Sequence, residues 1–346
     1  MSVVSIAILC FAGCTEKKSV DTFDTSILPE YSYELNEEKN GVGNIPFEEY
    51  LKEKTLPTDK TVVYVSQRGA SENNDGISNA NAINAVISEL SSNGGGAVVI
   101  DGNYKTSTIE LKSNISLYIK KDCSIMSLAN CFKIGTETSK DVTNVSVENC
   151  DFFMAGGIVG GMSGIAIESA DGSNVSDIKV NDIRMNGISS PILIWLGNRL
   201  SESNGSDGTM GSMQNIQISN IYCDNVELAS AIVGVETRKK TYYVKNVDIK
   251  NVYVIYRDIK ENLDVAVPTL EDNMNGYPEI TRVSHKYIIS HEGSKYYDLP
   301  VYGLFLRHVD GLNLENFKVI PRTCSTLDKW NLWGELAVDS KNISVK

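Results

Sequence analysis

Apolar residues recur along this chain in two periods. Ile83, Val86, Ile87 and Leu90 fall at i, i+3, i+4 and i+7, the spacing that lines one face of a helix. Gly94-Gly95-Gly96 ends that pattern. The stretch AVVIDGNYKTSTIELKSNISLYIKKDCSIMS follows, with apolar and polar residues alternating between turn residues, which predicts short strands. A helix, a Gly-rich break and short strands together predict the capped start of a solenoid, whose first coil must hide its open end.

Beyond this start the chain repeats. One recurring element is an Asn-closed strand: NVSVENC at 144–150, IKVNDI at 178–183, NIQISNI at 215–221, NVDIKNV at 246–252 and LNLENF at 312–317. A second lies between its copies: CFKIGT at 131–136, GIAIES at 164–169, PILIWL at 191–196, AIVGVE at 231–236, YGLFLR at 302–307 and ELAVDS at 335–340. Starts of the second element are separated by 33, 27, 40, 71 and 33 residues. The separation of 71 is one coil plus an insertion over roughly 256–299. Two or three short strands per coil, with no helices between them and few tight hairpin signals, predict an all-β fold, a parallel β-helix with a short N-terminal cap helix. The repeated Asn149, Asn181, Asn220, Asn251 and Asn316 are expected at a coil corner, where Asn tolerates a left-handed bend and stacked amides bond to one another. Cys131, Cys150 and Cys223 are expected as small core residues.

Residues 15–60 are charged and poor in apolar periodicity, and predict a tether or lead-in before the β-helix domain of 61–346. The first fourteen residues hold an apolar run, Val3 to Ala12, too short for a stop-transfer helix and fitting a signal h-region. The run ends in Phe11-Ala12-Gly13-Cys14. Small residues before a cysteine resemble a bacterial lipobox, with Cys14 as the lipidated residue and the outer membrane as partner; the alternative is a plain signal peptide with an incidental cysteine. Both place the protein outside the cytoplasm, secreted or in the bacterial cell envelope.

Charge narrows the partners. The formal net charge is −12, which argues against nucleic acid, since phosphate binding needs a basic patch. No C-x-x-C pair occurs among the seven cysteines, and His291 follows His285 by six positions, so neither a metal nor another cofactor is expected.

Two stretches carry a family resemblance. NAINAVISELSSNGGGAVVIDGNYKTSTIELKSNISLYIKKDCSIMS resembles the N-terminal cap and first coil of family 28 glycoside hydrolases of the polygalacturonase type. The stretch from KIGTETSKDVTNVSVENC through GIAIES, PILIWLGNR, YPE and LPVYGLFLRHV is similar to the C-terminal half of bacterial members. The resemblance implies a right-handed parallel β-helix acting on pectin-type polysaccharide or oligosaccharide. The departures lie in the catalytic motifs. The chain has no Asn-Thr-Asp and no Asp-Asp dipeptide. The family's Gly-His-Gly aligns with Ala129-Asn130-Cys131, and its uronate-gripping Arg-Ile-Lys with Ala166-Ile167-Glu168. The first stretch meets the second abruptly near Ser127, as though the coils between them were absent; a solenoid tolerates such a loss because each repeat contacts only its neighbours.

Side chains alternate across a strand. If Ile165 and Ile167 face the core, Ala166 and Glu168 face out, and the same register places Lys133, Trp195 and Arg307 on the outer face, which in the family forms the substrate groove. Glu168 and Trp195 are then stacked neighbours at roughly 4.8 Å coil spacing, a carboxylate beside an aromatic ring as in a sugar subsite. An inverting glycosidase needs two carboxyls roughly 6.5–9.5 Å apart; Glu137, Glu168 and Asp171 are the candidates, or else solvated turn charges. The resemblance adds Arg199 and Arg307-His308 as groove or bracing residues, and Tyr277 and Glu279 on the insertion as parts of a lid. The expectation is a polygalacturonase-like hydrolase impaired by loss of the family aspartates. The alternatives are a non-catalytic carbohydrate-binding surface β-helix and, more remotely, a lyase, which would need an acidic calcium site that the sequence does not display.

Overall fold

The computed structural model describes residues 56, 58–120, 123–126, 130–135, 138, 140–153, 163–197, 210–226, 228–236, 240–256, 303–321 and 335–346, with short strands at 3–6, 279–280, 286–288 and 296–298. Cys14, Glu137, Arg199 and Tyr277 lie outside the described residues, as does most of the 15–60 lead-in. The apolar run expected as a signal h-region contains the strand Val3–Ile6, paired antiparallel with Ile109–Lys112.

The cap forms where the sequence predicts it. Helix α1 spans Gly76–Ser92; the Asp75 side chain caps it by accepting from the Ser78 N–H at 2.6 Å, satisfying one of the orphan donors of the first turn. Gly95 closes the other end, its N–H donating to the Leu90 carbonyl at 2.8 Å. At φ +116, with Asn114 O only 2.4 Å from where a Cβ would stand, glycine alone fits. Ile83, Val86, Ile87 and Leu90 are buried against a parallel sheet of Val62–Tyr64, Gly96–Ile100 and Ile115–Ile119, in a core of their own.

From Phe132 onward the described strands form two ladders. In chain order their strands are β1 Phe132–Ile134, β2 Val142–Phe153, β3 Ser163–Ser169, β4 Asn174–Asn186, β5 Ser190–Leu196, β6 Ser212–Val226, β7 Ser230–Val233, β8 Val244–Tyr256, β9 Leu304–Arg307, β10 Val309–Pro321, β11 Glu335–Val338 and β12 Lys341–Val345. The odd strands form one six-stranded sheet and the even strands another, each in sequential order and parallel throughout. Each odd–even pair is one coil, and six coils stack into a parallel β-helix. Among the described residues no ladder joins the cap's sheets to these two, and Leu111 is a residue packed against both cores. Within the insertion, Glu279–Ile280, Lys286–Ile288 and Tyr296–Asp298 make a separate antiparallel sheet.

Each long even strand turns two corners in register with its neighbours, and β6 has a further left-handed residue at Asn225 (φ +58). In β2, β4, β6, β8 and β10 the corners fall at Asn144 and Asn149, Asp177 and Asp182, Asn215 and Asn220, Asn246 and Asn251, and Gly311 and Asn316, all at positive φ. A left-handed residue with a Cβ costs on the order of 1–2 kcal/mol, least for Asn and Asp, whose side chains bond locally. The register corrects one expectation: Asp182, not Asn181, turns the second corner of β4, because Asn181 is level with Ser219 and Ile183 with Ile221. Between corners the inward positions are aliphatic. Ile178, Val180 and Ile183 stack on Ile216, Ile218 and Ile221, and these on Val247, Ile249 and Val252, all within one continuous buried core. Burying each such side chain contributes about 1.5–3 kcal/mol. Cys131 and Cys223 are buried, whereas Cys150 is half-buried.

Candidate functional site

The odd sheet carries the residues expected at the groove. Phe132, Ile134, Ile165, Ile167, Ile192, Ile194, Leu304 and Leu306 belong to the inner core, so Lys133, Ala166, Glu168, Trp195 and Arg307 point the other way. Pairing sets Lys133 beside Ala166, Glu168 beside Trp195, Trp195 beside Val233, and Val233 beside Arg307. One column therefore runs Glu168, Trp195, Val233, Arg307 across four coils.

The side chains that point outward from the core on this sheet are themselves largely buried. Glu168 is 5% exposed, Trp195 7% and Arg307 1%. Ala166, Ala231, Val233 and Phe305 on the same face are buried too. Glu168 and Lys133 meet as an ion pair, Oε2 to Nζ 3.0 Å. Gly135, on the neighbouring coil, makes room for the Glu168 backbone: at φ +91, a Cβ there would lie 2.1 Å from the Glu168 carbonyl oxygen. The Trp195 indole lies along its own chain over Gly197, where a Cβ would come within 2.6 Å of Cζ2. Its buried Nε1 has no hydrogen-bond partner among the described residues. Asp171 sits half-buried on the turn after β3. The Ser169 hydroxyl closes that turn by donating to the Ser173 carbonyl at 2.7 Å. Of the three candidate carboxylates the described structure thus contains Glu168, within the sheet, and Asp171, beyond its end.

His308 follows β9 at φ +53 and is 2% exposed. Its ring meets Tyr243 edge-on, centroids 6.3 Å apart. Burial, then the neighbouring Arg307 charge, bring its pKa down to about 4 against an opposing pull from Asp339; it is a neutral imidazole at neutral pH. Its Nδ1 is buried without a partner among the described residues. It lines a hollow of about 250 Å³ with Glu236, Thr241, Tyr243, Asp339, Ser340 and Lys341. Arg307 Nη2 stands 3.9 Å from Asp339 Oδ2. Glu279 is placed in its strand opposite Ile288. Among the described residues no three His, Cys, Asp or Glu side chains gather as a metal site.

The larger concavity is on the even sheet, an open groove of about 580 Å³ that includes Asp177, Gln217, Asp248 and Asn313. Sequence analysis assigns these residues no role; the signal for them is a glycine at 311, where the other coils carry Asn or Asp.

No family model matches the chain, and no curated protein matches it. Among solved structures, the A-module of the mannuronan C-5 epimerase AlgE4 from Azotobacter vinelandii is similar over 82% of this chain and 96% of that one, with 13% identity and a TM-score of 0.21. The parallel β-helix rests on the two ladders themselves.

Proposed function

We propose that this chain is a saccharide-binding parallel β-helix of the polygalacturonase-like glycoside hydrolase kind, directed at pectin-type polysaccharide, with its hydrolysis impaired. The observation that carries the reading is the state of Glu168. A glycosidase acid must present a proton to the leaving oxygen, across from a second carboxyl that activates water. Glu168 instead occupies the position of the family's uronate-gripping lysine and is buried in an ion pair with Lys133. A carboxylate whose oxygen is held 3.0 Å from the Lys133 ammonium inside the sheet is engaged structurally and does not face a leaving oxygen. The position of Trp195 beside it supports retained descent from a sugar-binding face.

The test is reducing-sugar release from polygalacturonate, rhamnogalacturonan and pectic oligomers, alongside binding of the same polymers by affinity electrophoresis, for the wild type and Glu168→Gln. Binding without release is the expected result. Release that Glu168→Gln abolishes would establish a working hydrolase, and a folded protein that neither binds nor cleaves any of them would end the carbohydrate reading. The proposal includes a cell-envelope location through lipidation at Cys14, for which loss of palmitate labelling in Cys14→Ser is the check.

A further inference from the structure

The first corner of the even sheet carries an amide ladder that breaks at one coil. Asn215 Nδ2 donates to Asp177 Oδ1 at 3.0 Å, and Asn246 Nδ2 donates to Asn215 Oδ1 at 3.2 Å. The next coil places Gly311 at this corner. Asn246 Oδ1 consequently receives no donor among the described residues and faces the gap, 3.3 Å from where a Cβ at 311 would stand. On the far side Asn342 has turned away, donating to Asp310 Oδ1 at 2.7 Å. The gap opens onto the adjacent outward column, in which Gln217, Asp248 and Asn313 are neighbours on successive coils. Asn313 donates to Asp248 Oδ1 at 2.8 Å, whereas the exposed Gln217 amide has no partner among the described residues.

We propose that this groove, spanning the even sheet from Asp177 to Asn342, is a separate binding site for an extended, uncharged polysaccharide. Its shape is that of a track. It crosses four coil steps, roughly 19 Å at about 4.8 Å each, and it is open along its length. Its chemistry is that of a hydroxyl-rich ligand. Amides both donate and accept, and carboxylates accept from hydroxyls, while the lining offers no aromatic ring and no exposed apolar patch, since Val247 and Leu312 are core residues. Its charge selects against uronates. Asp177 and Asp248 both line it and no Lys or Arg does, Lys250 Nζ pairing with Asp248 at 3.5 Å from outside the lining; hydrogen bonds from Asn215, Ser176 and Thr143 hold the Asp177 carboxyl below its ordinary value, so Asp177 is the charge that opposes a uronate. The site shares no residue with the odd-sheet face and takes from the proposed function only the ligand class.

Gly311→Asn tests it by filling the gap, its backbone having to move from φ +90 toward the other corners, and Gln217→Ala tests it with the backbone untouched. Asn is the residue that turns this corner on four of the other coils with φ 52–58°, and at 311 it would extend the ladder while filling the gap. Affinity electrophoresis of the full chain against neutral pectic galactan and arabinan, with polygalacturonate as the charged comparison, is the measurement. Gly311→Asn and Gln217→Ala are each expected to weaken neutral-polymer binding by about tenfold or more, with Gln217→Ala, an exposed side chain, melting as the wild type does. Galactan and arabinan binding that Gly311→Asn leaves intact would overturn the proposal, as would equal affinity for polygalacturonate through this groove. No neutral-polymer binding at all would overturn it as well, while polygalacturonate binding insensitive to Gly311→Asn would leave the proposed function standing.

Discussion

Asn220 donates its side-chain amide to Asn181 Oδ1 at 3.0 Å, although the two residues hold different places in their coils. Asn220 turns a corner at φ +55, while Asn181 precedes the corner residue Asp182. At the first corner of the same strand Asp177 itself accepts from Asn215; at the second the neighbouring Asn181 supplies the acceptor in place of Asp182. The ladder then continues from Asn251 to Asn220 at 3.0 Å and from Asn316 to Asn251 at 3.1 Å.

Asn251 is the middle rung, so Asn251→Ala removes two neutral side-chain bonds, at about 1 kcal/mol each net, and adds a left-handed penalty of about 1 kcal/mol. A loss of about 3 kcal/mol is expected by chemical denaturation. Asn251→Gly lacks the left-handed penalty and is expected to lose about 1 kcal/mol less. Equal losses would mean that backbone strain plays no part at the corner.

The buried Lys133–Glu168 pair separates structure from chemistry. Lys133→Met leaves a desolvated carboxylate without that cation, and breaking such a pair costs about 3–5 kcal/mol. The double variant Lys133→Met, Glu168→Leu is expected to regain most of that loss, because an apolar pair of similar volume avoids the desolvation penalty. A double variant no more stable than the single one would place the value of Glu168 outside the pair.

His308 makes stability depend on pH in a definite window. Its folded pKa, about 4, lies below the ordinary 6.5, so the unfolded chain binds the proton first as pH falls. Stability from the neutral imidazole is complete above about pH 6.5 and declines toward about pH 4. The charges facing it, Arg307 and Asp339, act in opposite directions, with Arg307 the larger. His308→Asn keeps a residue that tolerates positive φ and is expected to flatten the melting temperature across that window. An unchanged slope would assign the dependence elsewhere.

Thiol labelling reads the core directly. Cys223 is fully buried, and burial pushes its thiol far above the ordinary range; Cys131 is buried as well. Both are expected to resist a thiol reagent until denaturant is added, while the half-buried Cys123 and Cys150 react in the native state. Native-state labelling of Cys223, identified by peptide mapping, would contradict the packed coil core.

The coil repeat was legible in the residues because it is local. Period-two alternation marks which side chains of GIAIES or NIQISNI face inward, and each Asn marks a bend that few other residues make without cost. That is why the strands, the cap helix and the Glu168–Trp195 adjacency follow from the sequence. Of the candidate site, Lys133, Glu168, Trp195 and Arg307 could be placed on one face this way. Three features required the tertiary structure. The corner of β4 falls at Asp182 and not Asn181 because register is set by bonds to coils about 33 and 38 residues away in sequence. The outward face of the odd sheet is buried, which alternation does not reveal: period two separates the faces of a strand and says nothing of what covers the second one. The groove at Gly311 exists because stacking brings an absent side chain beside an unfilled amide of the preceding coil, a relationship between neighbours in space that no single stretch of sequence contains.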